Sequence, residues 1–270
     1  MNLSLGYSPC PNDTYIFGAL ALGHVAAPGL TFDIRLEDVE TLNRLALDRA
    51  LDVTKLSFAA LLAPEIEAEY ELLASGGALG RGCGPLVVAR EPFAPEELAN
   101  KRIVTPGRRT TAHLLTRLFT GGATVAAELP FEKIMPAVAA GDFDAGVIIH
   151  ESRFTFPGFG LHKIVDLGEW WETTTGKPIP LGGIVARRSL GEATIRAVER
   201  AIAASLAHAD AHPETVGDYI REHAQEMSED VQRAHIALYV NEFSHDLGPE
   251  GRAAVAELRR RAAGTMNDER

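Results

Sequence analysis

The residue best suited to acid–base chemistry is His150, which with Glu151 follows the apolar run Ala145, Gly146, Val147, Ile148, Ile149. A short β-branched run after the Gly141-Asp142 turn reads as a buried parallel strand. Ligand chemistry in open α/β sheets sits beyond the carboxyl ends of such strands, and imidazole changes charge near neutral pH, so His150 is a candidate acid or base. A satisfied, half-buried histidine capping the strand would leave the same pattern. Four further junctions, at 8–14, 38–43, 55–57 and 105–111, place polar groups where a strand gives way to a helix. Helix N-termini offer unpaired backbone N–H groups and a partial positive charge, so the shared expectation is an anionic small-molecule ligand held through its carboxylate or enolate oxygens.

Within those junctions Ser57 and the pair Thr110 and Thr111 are candidate ligand contacts and equally candidate N-caps. Both halves of the chain supply such a residue at the equivalent place, which favours the ligand. Asn12 or Asp13 would cap the first helix, with Pro9 and Pro11 stiffening its approach. Lys55 lies within a strand and would offer a cation to the ligand, although a strand lysine usually faces solvent. Cys10, near a helix N-terminus where thiol pKa values fall, is a candidate nucleophile, but a proline on each side fits a structural turn better.

Other patterns carry less. The glycines at 76, 77, 80, 82 and 84 lead into a strand and do not open a helix, so they are no dinucleotide loop. His208 and His212 are spaced i, i+4 but have no third histidine or cysteine nearby in sequence, and a solvated helix face before Pro213 explains them better than a metal. Trp170 and Trp171 read as packing residues in preference to the floor of a ligand site.

The elements that must position these residues alternate. Strands are expected at 3–7, 31–36 and 53–56 and helices at 14–22, 40–48 and 58–68, a βαβαβα order that implies a parallel sheet. A strand at 86–89 and the segment 90–95 lead to a second unit, with strands at 102–104, near 123–128 and at 145–149 and helices from 110 or 111 to 119 and at 131–140. Residues 165–167 come next, a helix follows around 169–174, and 178–183 feeds a returning strand at 184–187. The tail from 192 to 261 is nearly all helical, with Pro213 starting one helix and Gly248-Pro249 separating another. The expectation is two α/β lobes joined by two crossings around a ligand cleft, 1–88 with 184–270 against 89–183, the architecture of bilobed solute-binding proteins.

At 270 residues the chain is long enough for two such lobes. Its hydrophobic content of 46% with 23% charged residues is that of a globular protein, and no run approaches the roughly 20 apolar residues that span a bilayer. A net charge of −11 without a basic stripe argues against nucleic acid. The residues from Met1 to Tyr7 show no secretory signal, so a cytoplasmic location is expected. Two cysteines, Cys10 and Cys83, make no disulfide scaffold.

Several longer stretches carry a family resemblance. Ser8-Pro9-Cys10-Pro11-Asn12-Asp13-Thr14, Leu36-Glu37-Asp38-Val39-Glu40-Thr41-Leu42-Asn43, Thr54-Lys55-Leu56-Ser57, Gly76-Gly77-Ala78-Leu79-Gly80-Arg81-Gly82, Ile148-Ile149-His150-Glu151-Ser152-Arg153-Phe154-Thr155 and Leu167-Gly168-Glu169-Trp170-Trp171 resemble the 1,4-dihydroxy-6-naphthoate synthases of the futalosine route to menaquinone. The resemblance covers essentially the whole chain. It implies a type II periplasmic-binding-protein-like α/β fold adapted to catalysis, with cyclic dehypoxanthine futalosine as substrate. It maps the general base onto His150 and substrate contacts onto Lys55, Leu56, Ser57, Thr110 and Thr111, with Asn43 as an addition. Arg108 and Arg109 depart from the family pattern by being doubly basic before the threonines, which raises the question of whether either holds the substrate carboxylate. The implied carbon–carbon lyase chemistry needs no metal or organic cofactor. A solute-binding receptor for an organic anion and the ligand-sensing domain of a regulator would share the fold. The first would need an export signal and the second a DNA-binding extension, and the sequence shows neither.

Overall fold

Leu3, Leu5 and Tyr7 alternate along Asn2–Tyr7 (β1) and are buried, which fixes one face of this strand on a hydrophobic core. The computed structural model describes residues 1–122, 125–224 and 228–265. These divide into two compact units, one of residues 1–79 and 182–249 and the other of 80–181 and 250 onward.

In the first unit β1 pairs in parallel with Thr31–Leu36 (β2), in register from Asn2 opposite Thr31 to Tyr7 opposite Leu36, and with Val53–Ser57 (β3). The crossovers are the helices Pro11–Ala21 (α1) and Val39–Leu47 (α2). The short helices Phe58–Leu61 (α3) and Pro64–Glu69 (α4) follow β3. A single helix over 58–68 was the expectation. Pro64 interrupts it, because proline has no N–H to donate to the preceding turn but suits the first position of a new helix. Two strands without a sequence signal come next, Tyr70–Leu72 (β4) and Ala78–Gly80 (β5).

The second unit holds the strands Leu86–Ala89 (β6), Ile103–Thr105 (β7), Ala127–Glu128 (β8), Ala145–Ile148 (β9) and His162–Asp166 (β10), in the order β10-β6-β9-β7-β8. Its helices include Thr111–Phe119 (α5), Phe131–Ala140 (α6), Ser152–Thr155 (α7) and Leu167–Thr175 (α8). Residues 123 and 124 of the strand expected near 123–128 lie outside the described residues. The strand expected at 145–149 is parallel to β7 as anticipated but antiparallel to β6.

The long strand Ile179–Arg187 (β11) returns antiparallel to β3 and β4, so the first sheet is mixed, not wholly parallel as the βαβαβα pattern suggested. Its order is β2-β1-β3-β11-β4, with β5 paired to β11. The helices Glu192–Ala211 (α9), Gly217–His223 (α10), Glu229–Tyr239 (α11) and Glu242–His245 (α12) complete the first unit. Ile195, Val198, Ile202 and Leu206 of α9 pack with Ile16 and Phe17 of α1 and with the β1 side chains.

Two assignments along the chain differ from expectation. The lobe boundary placed after residue 88 falls inside β6, whose hydrogen bonds to β9 and β10 put it in the second unit. The last helix, Gly248–Thr265 (α13), was expected with the first lobe, but from Glu250 onward it groups with the second. Its Arg261 guanidinium lies 5.7 Å from the Trp171 ring centroid, and Glu250 pairs with Arg81 at 2.9 Å.

Candidate active site

In the first unit the polar residues of three junctions form two buried clusters, Ser8, Asn12, Asp13 and Lys55 in one and Asn43 with Ser57 in the other. Cys10, not Asn12 or Asp13, occupies the N-cap position of α1, and Pro11 is the first helical residue. That shift places Asp13 in the first turn, where its carboxylate serves as an acceptor. Asp13 Oδ2 accepts from Ser8 Oγ at 2.7 Å and from the Ser8 amide at 3.2 Å, and Oδ1 accepts from Asn12 Nδ2 at 2.9 Å. Lys55 Nζ donates to the same Oδ1 at 2.6 Å, with the two side chains 6% and 2% exposed. Lys55 is therefore not the open cation that its strand position suggested. Ions this deeply buried are tolerated only when paired and hydrogen-bonded, a condition that the extra donors on Asp13 meet.

Beside this pair Asn43 clamps Ser57: the Ser57 amide donates to Asn43 Oδ1 at 2.8 Å, and Asn43 Nδ2 donates to Ser57 Oγ at 3.1 Å. The Ser57 hydroxyl makes no cap to α3, so the capping role proposed for it is not the one it performs. Leu56, between Lys55 and Ser57 on the strand, is wholly buried.

In the second unit Thr110 is the cap of α5. Its Oγ1 accepts from the His113 amide at 3.2 Å and donates to the Gly107 carbonyl at 2.7 Å. Thr111 Oγ1 donates to the Leu181 carbonyl at 2.7 Å. Arg108 is exposed and its guanidinium pairs with Glu128 at 3.1 Å, while Arg109 is half-buried.

His150 stands past the end of β9 with φ at 56°, in the left-handed region. Among the described residues it shares this property only with Arg49 outside glycine. Such a backbone costs of order 1–3 kcal/mol in a non-glycine residue and persists where the surroundings enforce it. The Arg153 amide donates to the His150 carbonyl at 3.3 Å. The Arg153 guanidinium donates to the Gly84 carbonyl at 2.6 Å and to Asp166 Oδ2 at 2.5 Å, and Asp166 in turn caps α8. The imidazole is half-buried and meets the Phe131 ring edge-on at 5.1 Å, and the Glu151 beside it is buried. Sequence reasoning missed the Arg153–Asp166 pair. Arg153 fell in a stretch that carries the family resemblance and Asp166 immediately before another, but only the fold brings them together.

The remaining candidates have structural explanations. A Cβ on Gly84 would lie 2.3 Å from Gly168 Cα, so the last glycine of the run at 76–84 permits a close backbone approach. Burial, with the nearby Glu172 carboxylate, pushes the Cys83 thiol up to about 12, which makes it inert at neutral pH. Cys10 is buried as well. The His208 ring packs against His24 and His212, and no group of metal-ligating side chains occurs among the described residues. Trp171 is wholly buried and donates to the Pro178 carbonyl at 3.1 Å, a packing role. A cavity of about 510 Å³ lined by Tyr15, Ile220, Gln232 and Ile236 contains none of the expected site residues. No described helix is long and apolar enough to cross a membrane.

Two α/β units with mixed sheets, joined where β11 returns, define the periplasmic-binding-protein fold. The alkanesulfonate-binding protein of Xanthomonas axonopodis pv. citri shares it, with a TM-score of 0.72 at 14% identity over 99% of this chain and 92% of that one. A protein of Archaeoglobus fulgidus is closer in structure, with a TM-score of 0.91 at 30% identity and 98% of both chains covered. Residues 3–264 match the family described as menaquinone biosynthesis, and the chain belongs to that family. A relative from Thermus thermophilus, 54% identical over 95% of this chain and 92% of its own length, bears the name 1,4-dihydroxy-6-naphtoate synthase. A second with the same name, from Streptomyces coelicolor, is 49% identical over 97% of this chain and 93% of its own.

Proposed function

We propose that this protein is a 1,4-dihydroxy-6-naphthoate synthase, a carbon–carbon lyase that converts cyclic dehypoxanthine futalosine to 1,4-dihydroxy-6-naphthoate with His150 as general base. The observation that carries the assignment of the base is the left-handed turn at His150, which holds a half-buried imidazole just past a central strand. Backbone strain of this kind concentrates at functional sites. In this reading the neutral imidazole takes a proton from the substrate, a carbon–carbon bond of the spiro ring breaks, and aromatisation of the naphthalene drives the reaction forward.

Substrate contacts in this reading are Asn43, Lys55, Leu56, Ser57, Thr110 and Thr111. Because Asp13 neutralises Lys55, the anionic substrate meets a set of hydrogen-bond donors more than a net positive charge. Arg108 is occupied by Glu128 and is given no role. The reading also places the protein in the cytoplasm, as a biosynthetic enzyme like its named relatives.

The test is incubation of the purified protein with cyclic dehypoxanthine futalosine and detection of the naphthoate product. Turnover is the expected result. Tight binding without turnover would make the protein a receptor for an aromatic anion and overturn the proposal.

A further inference from the structure

A residue from α11 joins the Lys55 network through Asn12. His235 is wholly buried, and its Nε2 lies 2.9 Å from Asn12 Oδ1. The direction of each hydrogen bond follows from chemistry. A carboxylate only accepts, so the Asn12 atom at 2.9 Å from Asp13 Oδ1 is the amide nitrogen, and the amide oxygen faces His235. That oxygen accepts too, so His235 carries a proton on Nε2. The chain thus runs from His235 to Asn12 to Asp13 Oδ1, where the Lys55 ammonium also ends.

We propose that His235 is a positioning residue for substrate binding, which holds Asn12 and Asp13 and through them sets where the Lys55 ammonium stands. The inference rests on the reading of Lys55 as a substrate contact. The burial of all four residues is what gives it force: Asn12, Asp13 and Lys55 are 5%, 1% and 5% exposed and His235 is 0%. Loss of the His235 donor leaves the buried Asn12 oxygen without its partner, so the amide reorients and its N–H no longer holds Asp13. Lys55 then loses the fixed geometry of its acceptor, with the Gly76 carbonyl at 3.5 Å as its alternative. The His235 ring plane is itself set by Tyr239, whose ring centroid is 4.6 Å away.

Steady-state kinetics with cyclic dehypoxanthine futalosine test this. His235→Leu is expected to raise KM about five- to tenfold, the scale of one lost hydrogen bond, with kcat within about twofold of wild type. His235→Gln, which restores an N–H donor, is expected to recover most of the loss. In a Lys55→Gln background the further change His235→Leu should leave KM unaltered, because the link it cuts no longer ends on an ammonium. A lowered Tm with unchanged KM, a His235→Gln variant as impaired as His235→Leu, or additive effects in the Lys55→Gln background would each overturn the proposal. Should His235→Leu fail to fold, Asn12→Ala cuts the chain one link nearer to Lys55, and an unchanged KM there overturns it equally. If Lys55→Gln alone leaves KM at the wild-type value, the reading of Lys55 as a contact falls and the proposal with it. If Lys55→Gln raises KM and His235→Leu does not, the proposal alone falls.

Discussion

Lys55 and His150, the ionisable residues put forward for the ligand, have opposite surroundings. Lys55 is 5% exposed, in regular strand backbone, with its ammonium 2.6 Å from a carboxylate that three other donors also engage. His150 is half-buried, with its backbone at φ 56° and its carbonyl accepting from the Arg153 amide. One region satisfies its charges internally and holds a shape. The other maintains a costly conformation around the imidazole read as the base. Stability and reactivity are thus separated between the two, and that separation can be broken experimentally.

The largest effect is expected at the strained turn. His150→Ala should lower turnover by about 10²- to 10⁴-fold with ligand affinity nearly intact, the usual contribution of a positioned acid or base. The wild-type rate should rise with pH as an imidazole loses its proton, and this limb should vanish in the variant. A variant that keeps wild-type turnover would remove the contrast between the regions.

The buried pair should respond in stability. Asp13→Ala leaves the Lys55 ammonium without its partner, and loss of one member of a buried pair costs about 3–5 kcal/mol. Denaturant unfolding measures it, and a loss below about 1 kcal/mol, the range of exposed pairs, would show that water reaches the network.

Smaller changes are expected at the contacts. Ser57→Ala and Thr111→Ala should each weaken substrate binding by about 0.5–3 kcal/mol, the range for a hydrogen bond and for one to a charged group. Calorimetric titration against wild type checks this, and unchanged affinity with lowered Tm would return both residues to structural duty. The smallest effect sharpens the picture of strain. His150→Gly should be more stable than His150→Ala by roughly 1 kcal/mol, because glycine occupies the left-handed region without the Cβ clash. Equal Tm values for the two would mean that the turn stores no strain.

Much of this contrast was legible in the sequence. The run 145–149 announced a buried strand with His150 beyond its end, and the helix over 131–140 matches α6 residue for residue. The junction at 105–111 predicted a threonine cap, and Thr110 is one. Other local readings failed for identifiable reasons. The cap of α1 was placed at Asn12 or Asp13 because both are good capping types, whereas Pro11 as the first helical residue starts the helix earlier and frees Asp13 for Lys55. The pattern over 58–68 outweighed Pro64, which divides it. The strand β4 is three residues long, too short for its periodicity to register.

What the amino-acid order determined by itself is therefore local: which segments bury one face, where helices start and stop, and which chemically capable residues stand at those ends. Each of these depends on neighbours within a few positions, because the periods of strand and helix are short. What only tertiary structure decided is which of those residues meet. Asp13 and Lys55 are 42 positions apart, and Asn12 and His235 are 223 apart. Whether such groups pair depends on strand order and helix packing, which set distances that no short window contains. Once the pairs form in a buried setting the physics reverses the sequence expectation, turning Lys55 from an offered cation into one half of a neutral pair.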